Sequence, residues 1–98
     1  MKHQIDLNQV KKAQMTLRAL NHKLRQEILS IIEKKGNMNV TEIYVKLRLP
    51  QPVVSQHLAI LRLTNIVNAK RDGKVIWYSV NYDRIKEIET FTKQLHSN

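Results

Sequence analysis

Residues 39–64 run Asn39-Val40-Thr41-Glu42-Ile43-Tyr44-Val45-Lys46-Leu47-Arg48-Leu49-Pro50-Gln51-Pro52-Val53-Val54-Ser55-Gln56-His57-Leu58-Ala59-Ile60-Leu61-Arg62-Leu63-Thr64. Asn39 and Glu42 have the spacing of a capping box, in which the cap side chain takes one free amide and the glutamate reaches back to another. Ile43 and Leu47 then share one helical face. The helix stays short, because a residue before proline is pushed out of helical geometry and Pro50 donates no amide. Helix resumes near Gln51, where Pro52 in the first turn is harmless. Val54, Leu58 and Leu61 form its inward face, and Asn65 is a plausible left-handed stop.

Downstream the period changes to two. Between Val67 and Val80, Ile76, Tyr78 and Val80 share one side of a strand and Val75 and Trp77 the other, with Asp72-Gly73 as the two-residue turn of a hairpin. Upstream, Val10, Ala13, Leu17 and Leu20 step by three and four along a first helix over 8–20. Asn21 is expected to cap a second helix whose buried stripe is Leu24, Ile28, Ile31 and Ile32, with Lys34 and Lys35 at its negative end and Gly36 as its left-handed cap. Asn81 caps a last helix over 82–96 carrying Ile85, Ile88, Phe91 and Leu95. The chain therefore predicts one domain over 1–98, mainly α with a β-hairpin: two helices, a helix-turn-helix over 39–64, a wing over 67–80 and a final helix. This is the order of a winged helix-turn-helix.

Composition agrees with a single globular domain: 98 residues, 42% apolar and 26% charged. At this length folding buries roughly two-thirds of the unfolded surface, enough for one core. With 17 Lys and Arg against 8 Asp and Glu the net charge is +9, which directs attention to a polyanionic partner. The excess is uneven, about +5 over 1–35, +4 over 36–81 and zero over 82–98. The last helix is thus outside the basic region, and its apolar stripe needs a partner. Val10, Ala13 and Leu17 with Ile85, Ile88, Phe91 and Leu95 are expected to join two subunits. Cysteine is absent, so disulfides, thiolate metal sites and catalytic thiols are excluded. No run reaches the ~18 apolar residues of a membrane span. The polar start Met-Lys-His-Gln-Ile-Asp lacks the apolar core of a secretory signal, which predicts a cytoplasmic protein.

In a winged helix-turn-helix the second helix of the pair enters the major groove. Gln51, Val53, Ser55, Gln56 and His57 occupy its first turns. Gln can pair bidentately with adenine, Ser can donate or accept, His can reach a purine acceptor, and Val can touch a thymine methyl. Any solvent-facing polar helix turn has similar chemistry, so the cations around it matter. Lys70, Arg71 and Lys74 at the hairpin tip suit phosphates in or beside the minor groove, although charges there also blunt edge-to-edge sheet pairing. Lys46, Arg48 and Arg62 add cations around the helix.

Several runs together resemble the ArsR/SmtB family of bacterial repressors: Ala19-Leu20-Asn21-His22-Lys23-Leu24-Arg25-Gln26-Glu27-Ile28-Leu29, Val40-Thr41-Glu42-Ile43, Gln51-Pro52-Val53-Val54-Ser55-Gln56-His57-Leu58-Ala59-Ile60-Leu61 and Asp72-Gly73-Lys74-Val75-Ile76-Trp77-Tyr78. The resemblance spans nearly the whole chain. It implies a homodimeric winged-helix repressor joined through its first and last helices and released from an operator by an effector. The chain departs from the family in detail. His22-Lys23-Leu24 stands where Asp-Pro-Thr is frequent, and Pro50 and Pro52 replace hydroxyl residues that commonly cap the recognition helix. The family's Cys-x-Cys metal positions fall at Asn39 and Thr41, and its zinc positions between the last helices fall at Tyr82, Arg84, Leu95 and Asn98. Neither set is a donor set, since leucine cannot ligate and arginine repels the ion. His3, His22, His57 and His96 lack the i, i+4 pairing of a helical zinc site, although a dimer can in principle bring His3 and His96 together.

No metal and no cofactor are therefore expected, and no enzymatic activity. Ser55 and His57, the only nearby nucleophile and base, lie two apart on a helix and point to different sides. Trp77 and Tyr78 permit a base-stacking surface for single strands, but aromatics on a wing strand more often pack on the core. The expectation is a dimeric, sequence-specific regulator of double-stranded DNA, with a protein-binding winged-helix adaptor as the alternative.

Overall fold

A computed structural model describes residues 6–96, with side chains described to residue 94. Its elements are α1 (Leu7–Leu20), α2 (Lys23–Lys35), α3 (Val40–Leu47), α4 (Gln51–Leu63), β1 (Val67–Asp72), β2 (Val75–Val80) and α5 (Tyr82–His96). This is the expected winged helix-turn-helix order. The expectations for His3 and Asn98 lie outside the described residues, as do those for the side chains of Leu95 and His96.

Local chemistry sets most boundaries. Asp6 caps α1, its carboxylate accepting from the Asn8 and Gln9 amides. The capping box forms as expected: the Glu42 amide donates to Asn39 Oδ1 at 2.9 Å and the Asn39 amide to Glu42 Oε1 at 3.2 Å. α3 then closes through Arg48, held in the left-handed region at φ 56°, with the Leu49 amide donating to the Tyr44 carbonyl. Asn65, at φ 60°, ends α4 the same way, the Ile66 amide bonding to Leu61. Asn81 Oδ1 accepts from the Arg84 amide and starts α5.

Two details differ from the sequence expectation. Asn21 closes α1, its amide donating to the Leu17 carbonyl at 2.8 Å, and the cap of α2 is His22, whose Nδ1 accepts from the Leu24 amide at 3.2 Å. A cap must directly precede the first helical residue, and the Gln26 side chain, donating to the Leu20 carbonyl at 2.7 Å, draws the corner tight enough to start α2 at Lys23. The hairpin turn is Gly73-Lys74 instead of Asp72-Gly73. Asp72 pairs with Val75, and Gly73 alone has positive φ, the requirement of a turn with glycine first. This register sets the two buried valines, Val67 and Val80, opposite each other and extends the ladder by an Asn81 amide to the Ile66 carbonyl.

Ile28, Ile32, Ile43, Val54, Leu58, Leu61 and Ile66 are fully buried where α2, α3, α4 and the base of the hairpin meet. Each such side chain contributes about 1.5–3 kcal/mol by leaving water. Met38, between α2 and α3, forms a reciprocal pair of backbone bonds with Tyr78 at 3.0 and 2.8 Å, so the wing is tied to the body. Arg84 ties α5 to two other helices. Its guanidinium donates to the Thr64 carbonyl at the end of α4, to Oγ1 of buried Thr16 on α1, and to Glu87.

Candidate nucleic-acid interface

α4 packs one face and shows the other. Val54, Leu58 and Leu61 face the core, which leaves Gln51, Pro52, Ser55, Gln56, Ala59, Arg62 and Leu63 exposed as a stripe at helical spacing. Of the expected base readers, Gln51, Ser55 and Gln56 stand together on this stripe. Val53 and His57, one turn apart, lie half-buried on its flank. Pro52 and Ala59 add small apolar surface between the polar side chains, which no spacing in the sequence marks out. Pro50 precedes α4 without a side-chain cap, and Pro52 carries no amide, so fewer donors are left at this helix start than usual.

Lys46, Arg48, Arg62, Lys70, Arg71 and Lys74 are all exposed. Among the described residues the ion pairs are Lys35 with Glu42 and Arg84 with Glu87, so none of the six is neutralised by a carboxylate. Lys74 occupies the turn itself, and Lys70 and Arg71 pair across the ladder with Trp77 and Ile76. Tyr78 packs against the core and Trp77 is half-buried, as expected for wing aromatics.

His57 has neighbours that sequence spacing does not reveal. Its Nδ1 accepts from Arg25 Nε at 3.1 Å, and its ring lies 4.8 Å from that of His22, tilted by 54°. Partial burial, then the neighbouring His22, then the Arg25 guanidinium all disfavour the imidazolium and hold the His57 pKa below the ordinary histidine value. Arg25 also donates to the Arg18 and Ala19 carbonyls at the end of α1. Two of the four histidines thus meet, although both offer Nδ1 as an acceptor. Among the described residues no three His, Asp or Glu side chains are grouped to hold a metal ion.

α1 and α5 enclose a groove of about 740 Å³ lined by Val10, Ala13, Leu17, Ile88 and Phe91 with Lys12, Arg84 and Glu87 among its polar edges. Val10 and Phe91 are open to solvent at 44% and 38%. Ile85 and Ile88 both pack against the core.

A helix-turn-helix with its second helix open to solvent, followed by a cationic two-stranded wing, defines the class of winged helix-turn-helix regulators. The chain belongs to the arsR family of bacterial regulatory proteins, whose model matches residues 22–69. It is 34% identical over 89 residues to the uncharacterized HTH-type transcriptional regulator MJ1325 of Methanocaldococcus jannaschii, covering 91% of this chain and all of that one. It is 33% identical over 86 residues to the transcriptional repressor PagR of Bacillus anthracis, covering 88% of this chain and 86% of the relative. The crystal structure of PagR superposes with a TM-score of 0.69 at 30% identity, over 88% of this chain and 99% of that chain. An ArsR-like regulator from Rhodococcus sp. RHA1 shares the fold at a TM-score of 0.81 and 16% identity, over 92% and 84% of the two chains.

Proposed function

We propose that this transcriptional regulator is a dimeric, sequence-specific repressor of double-stranded DNA. The observation that carries this reading is the exposed stripe of α4, with Gln51, Ser55, Gln56 and Arg62 turned outward, beside cations that have no carboxylate partner among the described residues. Two copies joined through the α1–α5 groove place two such helices in successive major grooves of an inverted repeat, with half-sites about one helical turn or a multiple apart. Gln51, Ser55, Gln56, Val53 and His57 meet base edges. Lys46, Arg48, Arg62, Lys70, Arg71 and Lys74 grip phosphates. A repressor sign follows the name of PagR. The protein works in the cytoplasm and not as an enzyme: the His57 Nδ1 is engaged by Arg25, not by Ser55. No helix among the described residues is long and apolar enough to cross a membrane.

The test is in vitro selection from a random duplex library, followed by titration of the selected duplex at rising salt. A recovered inverted repeat, bound with a log–log salt slope of about −0.9 per neutralised phosphate, is the expected result. Recovery of no sequence, as for a protein-binding adaptor, overturns the reading.

A further inference from the structure

We infer that Arg25, on α2 and outside the helix-turn-helix, is a positioning residue for DNA recognition: it fixes His57 as the tautomer protonated on Nε2, so that α4 presents a single hydrogen-bond donor to an acceptor on a base edge. This rests on the function proposed above.

The chemistry leaves little freedom. An arginine Nε–H only donates, so the His57 Nδ1 that receives it at 3.1 Å must carry a lone pair, and the proton of the neutral ring sits on Nε2. His22 is in the same condition, because its Nδ1 receives the Leu24 amide. The two rings lie 4.8 Å apart, and each has its Nδ1 acceptor already spoken for. His57 Nε2 has no hydrogen-bond partner among the described residues. Among the described residues no fully buried side-chain nitrogen or oxygen lacks a partner, so this atom is not sealed from solvent. His57 is half-buried on the flank of α4 beside exposed Gln56, and its free Nε2 is therefore a donor of fixed identity, matched to purine N7 or guanine O6 in the major groove. Arg25 is itself held by the Arg18 and Ala19 carbonyls at the end of α1. The orientation of a reading group on α4 thus depends on a residue that never needs to touch DNA.

The test has two parts. In the free, full-length protein at pH 7.5, long-range proton–nitrogen NMR is expected to show His57 Nδ1 as a pure acceptor, with a coupling across the hydrogen bond from Arg25 Nε–H. A proton on Nδ1 overturns the inference. In binding, the preference for the selected duplex over a scrambled one is measured for the wild type, Arg25→Met, His57→Ala and the double variant. Arg25→Met is expected to lower that preference about tenfold, within the range of one good base contact, and to add nothing once His57 is Ala. Equal weakening on both duplexes, or an undiminished effect of Arg25→Met in the His57→Ala background, overturns the inference by making Arg25 a direct phosphate contact. These results leave the function above standing, whereas failure to select any duplex defeats that function and leaves the NMR result to decide the tautomer.

Discussion

Gln56 and Lys74 differ in what their loss should do, although both are exposed polar side chains. Gln56→Ala should weaken the selected duplex by about 1–3 kcal/mol and relax the base preference, measured by competition among single-base variants of the site. Lys74→Ala should weaken all duplexes alike and reduce the salt slope by about 0.9. His57 adds a pH dependence of stability. Its folded pKa is lowered, so below about 6.5 the unfolded chain takes up a proton that the folded protein resists. The contribution is complete above that pH and is lost as pH falls from there through the lowered folded value. Denaturant titrations from pH 8 to 5 should therefore show the stability difference between wild type and His57→Gln shrinking on acidification; a constant difference would contradict the lowered His57 pKa, to which burial contributes first, then His22, then Arg25. The polar stripe of α4 was legible because Val54, Leu58 and Leu61 define its buried side by period alone. The contact of Arg25 with His57 was not, since 32 residues separate them and neither has a pattern that demands the other.

Elements were legible wherever a short-range interaction sets them. The Asn39–Glu42 box, the proline pair around Gln51, and the left-handed Asn65 act within five residues, and α3 and α4 lie where those signals put them. Asn39→Ala should cost about 1 kcal/mol in thermal or chemical unfolding, with more lost if Glu42 is left paired only to Lys35. The cap of α2 and the hairpin turn moved by one residue for the opposite reason. Gln26 reaches back to Leu20, and Val67 seeks Val80, and both partners are supplied by tertiary structure. Arg84 belongs to this class. It joins three helices by donating to Thr64 and Thr16 from α5, and charged donors to buried acceptors are worth more than neutral ones. Arg84→Met is expected to destabilise the fold by about 2 kcal/mol in urea unfolding, and Arg84→Lys to recover only part, since one ammonium cannot span both acceptors.

The whole molecule measures 52 × 26 × 22 Å with a radius of gyration of 15.3 Å, above the ~13 Å of a compact chain of this length. Apolar Val10 of α1 and Phe91 of α5 stay open to solvent in this elongated body. Val10→Glu combined with Phe91→Glu should shift sedimentation from dimer to monomer and lower operator affinity far more than affinity for an isolated half-site; a variant that stays dimeric would place the subunit contact elsewhere. The apolar stripes of these two helices were readable from spacing alone. Their groove, and the packing of Ile85 and Ile88 against the core, needed the fold. The Met38–Tyr78 bridge has a mechanical corollary. The hairpin is a beam clamped at Tyr78 and free at Gly73, five residues or about 17 Å away at ~3.3 Å each, and deflection of such a beam grows toward its free end. The tip can thus sweep while Tyr78 stands still, and backbone order parameters should decline steadily from the clamp to the tip.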